Sequence, residues 1–127
     1  MTLLLDTHAL LWWLANDLRL GPRARAAIIE PDREVLVSVA SLWEARIKQT
    51  LGKLELPEGF RSAIAEQGFR ELAVRGDHTD ELARLPMHHR DPFDRLLVAQ
   101  ARHDALTLVT SDERIAMYDV ARLDAGA

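Results

Sequence analysis

Four carboxylates in this chain stand where their ordinary uses do not fully account for them. Asp6 ends an apolar run in TLLLDTHALL, Glu44 lies inside SLWEARIKQTLG, Asp94 follows Asp91 in HHRDPFDRLL, and Asp112 leaves LTLVT in TSDERI. Taken singly, Asp6 and Asp112 suit turns or helix caps, and Glu44 suits an i, i+4 pair with Lys48 worth a few tenths of a kcal/mol. In DPFD the two aspartates divide. Pro92 fits the first helical position, which makes Asp91 the natural N-cap. Asp94 then falls amid Leu97, Val98, Ala101 and Ala105 on a helical wheel, at the centre of an apolar stripe. A carboxylate aimed into a covered face is costly, and the positive end of its own helix returns only about 1 kcal/mol.

A cation shared among Asp6, Glu44, Asp94 and Asp112 would answer that cost for all of them. Two like charges about 4 Å apart repel by roughly 4 kcal/mol at an effective dielectric near 20. A cluster of such acids therefore binds metal or holds protons. Mg²⁺ takes octahedral oxygen ligation and keeps open positions, which suits phosphodiester chemistry: water activated for in-line attack on phosphorus, with a second ion at the leaving oxygen. The wheel sets Glu44 within about 60° of Ala40, Ile47 and Leu51, on the border of a buried face. The idea depends on whether the four converge.

The elements that would bring them together are legible as short apolar runs alternating with amphipathic segments. Residues 3–5, 35–37, 72–74 and 106–109 read as buried strands, with a weaker fifth at 120–123. Helical patterns cover 7–15, 22–29, 39–51, 58–67, 78–84, 92–104 and 112–117, punctuated by Pro22, Gly52, Pro57, Pro86 and Pro92. Alternation of this kind predicts an α/β fold with a parallel sheet covered on both faces. In such sheets ligands bind beyond the carboxyl ends of the strands, at the switch point of the topology. Asp6 and Asp112 both leave strand ends.

The composition frames the function. At 127 residues the expectation is a single domain, 1–127, and the 48% apolar and 28% charged content is that of a folding globular chain. Without cysteine, thiolate metal sites and cysteine nucleophiles are excluded, leaving oxygen and imidazole as ligands. The apolar start lacks a basic n-region and carries Asp6 and His8, and no run reaches the roughly 18 residues of a spanning helix, so a cytoplasmic protein without membrane contact is expected. A net charge of −4 argues against a generally basic nucleic-acid surface. A nuclease working through bound cations carries an acid cluster that lowers its total charge in just this way.

The segments LLLDTHALLWWL, SLWEARIKQTLGKL, HHRDPFDRLLVAQA and TLVTSDERI, in this order and spacing, resemble the PIN domain family, and within it the VapC-type toxins of toxin-antitoxin pairs. The resemblance implies a three-layer α/β/α sandwich with strand order 3-2-1-4-5 and an Mg²⁺- or Mn²⁺-dependent endoribonuclease leaving 5′-phosphate and 3′-hydroxyl ends. It implies that the acidic site falls on Asp6, Glu44, Asp94 and Asp112; the mechanism expected for such a set places Asp6 and Asp94 on the metal, with Glu44 and Asp112 acting through water or on a second ion. It also implies RNA as substrate, a cognate antitoxin as partner and a homodimer. Many relatives carry a basic or small residue where Ser111 precedes its acid, which leaves open how Asp112 meets the metal.

Other roles are open. Arg46, Lys48, Arg90 and Arg95 flank the acids and could meet phosphates. His88 and His89 offer a zinc or general-acid role, with no helical spacing to support it. His8 and His103 read as loop and surface residues, Thr110 and Ser111 as turn formers, and one of Trp12 and Trp13 as facing a partner. A receiver-like or dehalogenase-like phosphoryl-transfer protein is disfavoured: no second acid stands two residues after Asp6, and no lysine ends the strand at 106–109. The remaining alternative is a catalytically inactive PIN-like binding module serving a protein partner.

Overall fold

The computed structural model describes residues 1–127. Its elements run β1 (Leu3–Leu5), α1 (Thr7–Leu14), α2 (Pro22–Ile29), β2 (Val35–Ser38), α3 (Val39–Thr50), α4 (Phe60–Glu66), β3 (Arg70–Leu72), α5 (Gly76–Ala83), α6 (Pro92–His103), β4 (Thr107–Thr110) and β5 (Arg122–Asp124), with a 3₁₀ turn at Ile115–Met117. The sheet is wholly parallel in the order β3-β2-β1-β4-β5. Pairing aligns Leu4 with Leu36 on one side and Leu108 on the other. One further ladder bond, from the Asp6 N–H to the Val109 carbonyl at 3.0 Å, carries the β1–β4 pairing up to the first acid.

Three layers follow from the two-residue period of the central strand. Leu3 and Leu5 point into a core built with Leu10, Ile28, Phe60 and Ile64 from α1, α2 and α4. Leu4 points the other way, into a core built with Leu97, Val98 and Ala101 of α6 together with Ile115 and Tyr118. Since β1, β2 and β4 are covered on both faces, they read as unbroken apolar runs. The connections β1–β2–β3 proceed to one side of β1 while β4 and β5 lie to the other, which makes the carboxyl ends of β1 and β4 the switch point.

Two sequence expectations are corrected. The third strand is Arg70–Leu72 rather than 72–74, and Val74 is exposed beyond it. As an edge strand it has a single neighbour, and its polar residues are held by ion pairs, Arg70 with Glu34 and Glu71 with Arg61, so an apolar run was the wrong marker. The helix expected over 112–117 is only a 3₁₀ turn, because Tyr118 enters extended backbone after Met117 and returns the chain to the core. At Gly52 the expected stop holds: φ is +72°, and the N–H of Lys53 closes onto the Lys48 carbonyl in the manner of a left-handed C-cap.

Candidate active site

Asp6 is the N-cap of α1, accepting from the Ala9 N–H at 2.7 Å, and is 4% exposed. Capping is thus a real use of this residue, and it also fixes where the second carboxylate oxygen can point. Burial pushes the Asp6 carboxyl up; the Thr110 hydroxyl, the Ala9 N–H and His8 oppose this, and the Glu44 charge adds to it. Thr110 in turn accepts the N–H of Asp112 at 3.1 Å, so the turn after β4 is built on the hydroxyl that lies beside Asp6. Ser111 is exposed.

Glu44 projects from α3 into the same region. Its Oε1 accepts from the Thr7 hydroxyl at 2.5 Å, and its Oε2 lies 3.7 Å from the Lys48 ammonium. The i, i+4 pair exists, but it is the Thr7 bond from the first turn of α1 that ties Glu44 to Asp6. One helical turn earlier, the buried Ser41 hydroxyl has no protein partner.

The DPFD segment behaves as its spacing predicts. Asp91 caps α6, accepting from the N–H groups of Phe93 at 2.8 Å and Asp94 at 3.1 Å. Asp94 turns inward, its side chain only 19% exposed. Burial raises its carboxyl to about 7, helped by the charges of Asp91, Asp6 and Glu44 and opposed by His89. At Asp112 burial also acts upward, but the N–H of Arg114, His89 and the Arg114 guanidinium prevail and hold the carboxyl below its ordinary range.

His89 joins the third and fourth acids. Its Nε2 is 2.9 Å from Asp94 Oδ2 and 2.9 Å from Asp112 Oδ2. The fold therefore brings all four acids together: Asp6 with Glu44 through Thr7, Asp6 with Asp112 through Thr110, and Asp94 with Asp112 through His89. Sequence reasoning weighed His89 only for a zinc or general-acid role and did not single out Arg114. No periodicity marks either one, since each reaches the site through a loop or turn.

The flanking bases divide. Arg95 is occupied by the Pro86 carbonyl at 2.8 Å and the Tyr118 hydroxyl at 3.0 Å, so it braces the loop before α6. Arg46 bonds Gln49 and lies over the Phe60 ring, while Arg90 is exposed. Trp12 and Trp13 both lean on the core, Trp13 against Phe69 with its indole N–H on Gln67. The aromatic that does stand out is Trp43, 62% exposed and edge-on to Phe93 at 5.2 Å. His8 lies on α1, stacked at 6.0 Å on Trp12, rather than in a loop.

The donor set fits a hard divalent cation. It is dominated by carboxylate oxygens, of which Asp94 is already destabilised in its charged form by burial and then by its acidic neighbours, and the nearest positive groups are Lys48 at 3.7 Å from Glu44 and Arg114 at 3.4 Å from Asp112. Asp94 and Asp112 share His89 as a common neighbour at 2.9 Å, which brings these two carboxylates to one side of the site.

The sequence pattern of the PIN domain family matches residues 3–123. The chain belongs to that family. It is 32% identical over 118 residues to Ribonuclease VapC22 of Mycobacterium tuberculosis, spanning 90% of this chain and 89% of that one. In fold it is similar to the VapBC2 assembly of Rickettsia felis bound to promoter DNA, with a TM-score of 0.73, 14% identity and coverage of 97% and 98%. It also resembles VapC20 of Mycobacterium tuberculosis, a toxin that cleaves the sarcin-ricin loop, with a TM-score of 0.62, 17% identity and coverage of 94% and 96%.

Proposed function

We propose that this chain is an endoribonuclease dependent on Mg²⁺ or Mn²⁺, and the toxin of a toxin-antitoxin pair. The observation that supports the reading most is the gathering of Asp6, Glu44, Asp94 and Asp112 at the carboxyl ends of β1 and β4, with Asp94 raised to about 7 among them. Its 32% identity to a ribonuclease of the VapC type supports RNA as the substrate class, and its structural similarity to toxin-antitoxin assemblies supports an antitoxin as partner.

In this reading Asp6 and Asp94 would hold the cation directly, and Glu44 and Asp112 would hold it through water or help hold a second ion. When bound, such a cation supplies Lewis-acid polarisation of the phosphodiester and acidifies water for the attack. The chain's own residues do the positioning. Asp6 is fixed by the Ala9 N–H, Glu44 by Thr7, and Asp112 by Thr110, His89 and Arg114. Arg90, exposed beside Asp91, is free to meet an RNA phosphate. A cognate antitoxin and a second copy of the chain are the expected protein partners.

Incubation of the protein with a structured RNA pool, with Mg²⁺ or Mn²⁺ and with EDTA, tests the reading. Cleavage is expected only with the cation and is expected to disappear in Asp6→Asn and Asp94→Asn. Cleavage that persists in EDTA overturns the metal assignment, and no cleavage under any condition favours the inactive binding module. Expression alone and with the antitoxin tests the toxin role, which a harmless lone chain contradicts.

A further inference from the structure

Of all the side chains around the acids, His89 has the least ordinary surroundings. It lies in a loop, yet it is 4% exposed, and its ring contacts are all specific. The N–H of Asp91 donates to Nδ1 at 3.3 Å. The N–H groups of His88 and His89 donate to the Tyr118 hydroxyl at 3.1 and 3.0 Å, and that hydroxyl is itself held by Arg95. The loop is thus tied to the far end of the chain at Tyr118, and the imidazole is aimed by its backbone.

This arrangement dictates the tautomer. A neutral imidazole has one donor and one acceptor nitrogen. Nδ1 accepts from Asp91, so Nε2 carries the hydrogen, and its two neighbours, Asp94 Oδ2 and Asp112 Oδ2 at 2.9 Å each, both accept from it in the ionised form that binds a cation. A nitrogen that bears a hydrogen has no lone pair for a metal. To become a ligand, His89 would have to move the proton to Nδ1 and lose the Asp91 bond.

We propose that His89 is a positioning residue of the acidic site, whose single Nε2–H, shared between Asp94 and Asp112, sets the spacing of these two acids for the cation. The role rests on the metal-dependent reading above. It uses one oxygen of each acid, as the partners that orient metal ligands commonly do; the second oxygen of Asp94 is left to the ion, while that of Asp112 also accepts from the Arg114 N–H at 2.9 Å. The Asp91 carboxylate caps α6 while its N–H orients His89, so the residue that starts the helix also fixes the ring that holds Asp94.

Calorimetric titration of Mg²⁺ and Mn²⁺ into the whole chain tests this, with long-range ¹H–¹⁵N spectra of the wild-type imidazoles. His89→Leu removes the donor and is expected to weaken cation binding by about 10- to 100-fold, the usual cost of losing such a partner. His89→Gln, whose amide nitrogen occupies the place of Nε2, is expected to restore binding to within about threefold. If His89→Leu does not fold, His89→Asn serves instead, since its amide stands at the place of Nδ1 and falls short of the acids. The wild-type spectrum is expected to show hydrogen on Nε2 with and without cation. Unchanged affinity in a folded His89→Leu makes the residue merely structural and overturns the proposal, as does a spectrum with hydrogen on Nδ1. A wild type that binds neither cation overturns the metal reading itself, and is told apart because the loss is then common to every variant.

Discussion

The two ends of α6 carry nearly the same side chains and opposite electrostatics. At the first end a single histidine, His89, faces Asp94 and Asp112, with Asp6 and Glu44 close behind. At the other end a single carboxylate, Asp104, accepts from Arg75 at 2.9 Å, His78 at 3.2 Å and His103 at 2.8 Å. Both groups bring His and Asp ligand atoms within 4.8 Å of one another. At Asp94 burial and neighbouring acids raise the carboxyl to about 7; at Asp104 burial acts upward too, but the three donors overcome it and bring the carboxyl down to about 2. The inventory of residue types does not decide what a cluster does; the ratio of donors to carboxylates does. One cluster lacks positive charge that a cation can supply. The other is complete, and fastens α5 to α6 through the fully buried His78.

The largest expected difference is in cleavage. Asp94→Asn and Asp6→Asn are expected to lower the initial rate on RNA with Mg²⁺ by more than about 100-fold, the upper end of what losing an outer partner costs. Asp104→Asn is expected to leave that rate within about threefold. Equal losses at both ends of the helix would dissolve the distinction.

Stability is expected to respond in the opposite order. Asp104→Asn strips a charge-assisted acceptor from three donors and is expected to cost about 1–3 kcal/mol in urea unfolding. Asp94→Asn in the metal-free protein relieves repulsion, so its unfolding midpoint is expected to stay level or rise. A clear fall would mean that Asp94 is already satisfied without a cation.

A pH profile sharpens the same contrast. Asp94 is raised from 3.8 to about 7, so between those values the folded state keeps a proton that the unfolded state has released. Its contribution to stability is full below about pH 4 and is lost as pH rises through about 7. Asp104 is lowered from 3.8 to about 2, so its contribution is present above about pH 4 and is lost only on acidification toward 2. The melting temperature of metal-free protein is therefore expected to fall between about pH 4 and about pH 7, and Asp94→Asn to flatten that fall while Asp104→Asn leaves its slope alone. An identical slope in the wild type and Asp94→Asn would refute the assignment.

The smallest expected effect is at Asp91. Asparagine caps about as well as aspartate, so Asp91→Asn should keep cleavage within about twofold and stability within about 0.5 kcal/mol. A large loss of cleavage would mean that capping is not its only task.

Much of this was legible in the sequence where burial imposes a pattern. Strands β1, β2 and β4 are covered on both faces, so Leu3–Leu5 and Val35–Val37 announce themselves, and the apolar stripe of α6 exposed Asp94 as out of place. Edge strand β3 obeys no such rule, because Arg70 and Glu71 are solvated and held by ion pairs. His89, named in the sequence only as a zinc or general-acid candidate, was illegible as a positioning residue for a different reason. Its neighbours Asp94 and Asp112 are 5 and 23 residues away, and its aim depends on the Tyr118 hydroxyl 29 residues on. Contacts made by a loop against the turn after another strand leave no spacing to read.

The most direct test of the contrast is a calorimetric titration of Mg²⁺ into the wild type, Asp94→Asn and Asp104→Asn at neutral pH. The account predicts saturable binding by the wild type and Asp104→Asn and its loss in Asp94→Asn. Binding that survives in Asp94→Asn, or that vanishes in a folded Asp104→Asn, would contradict it.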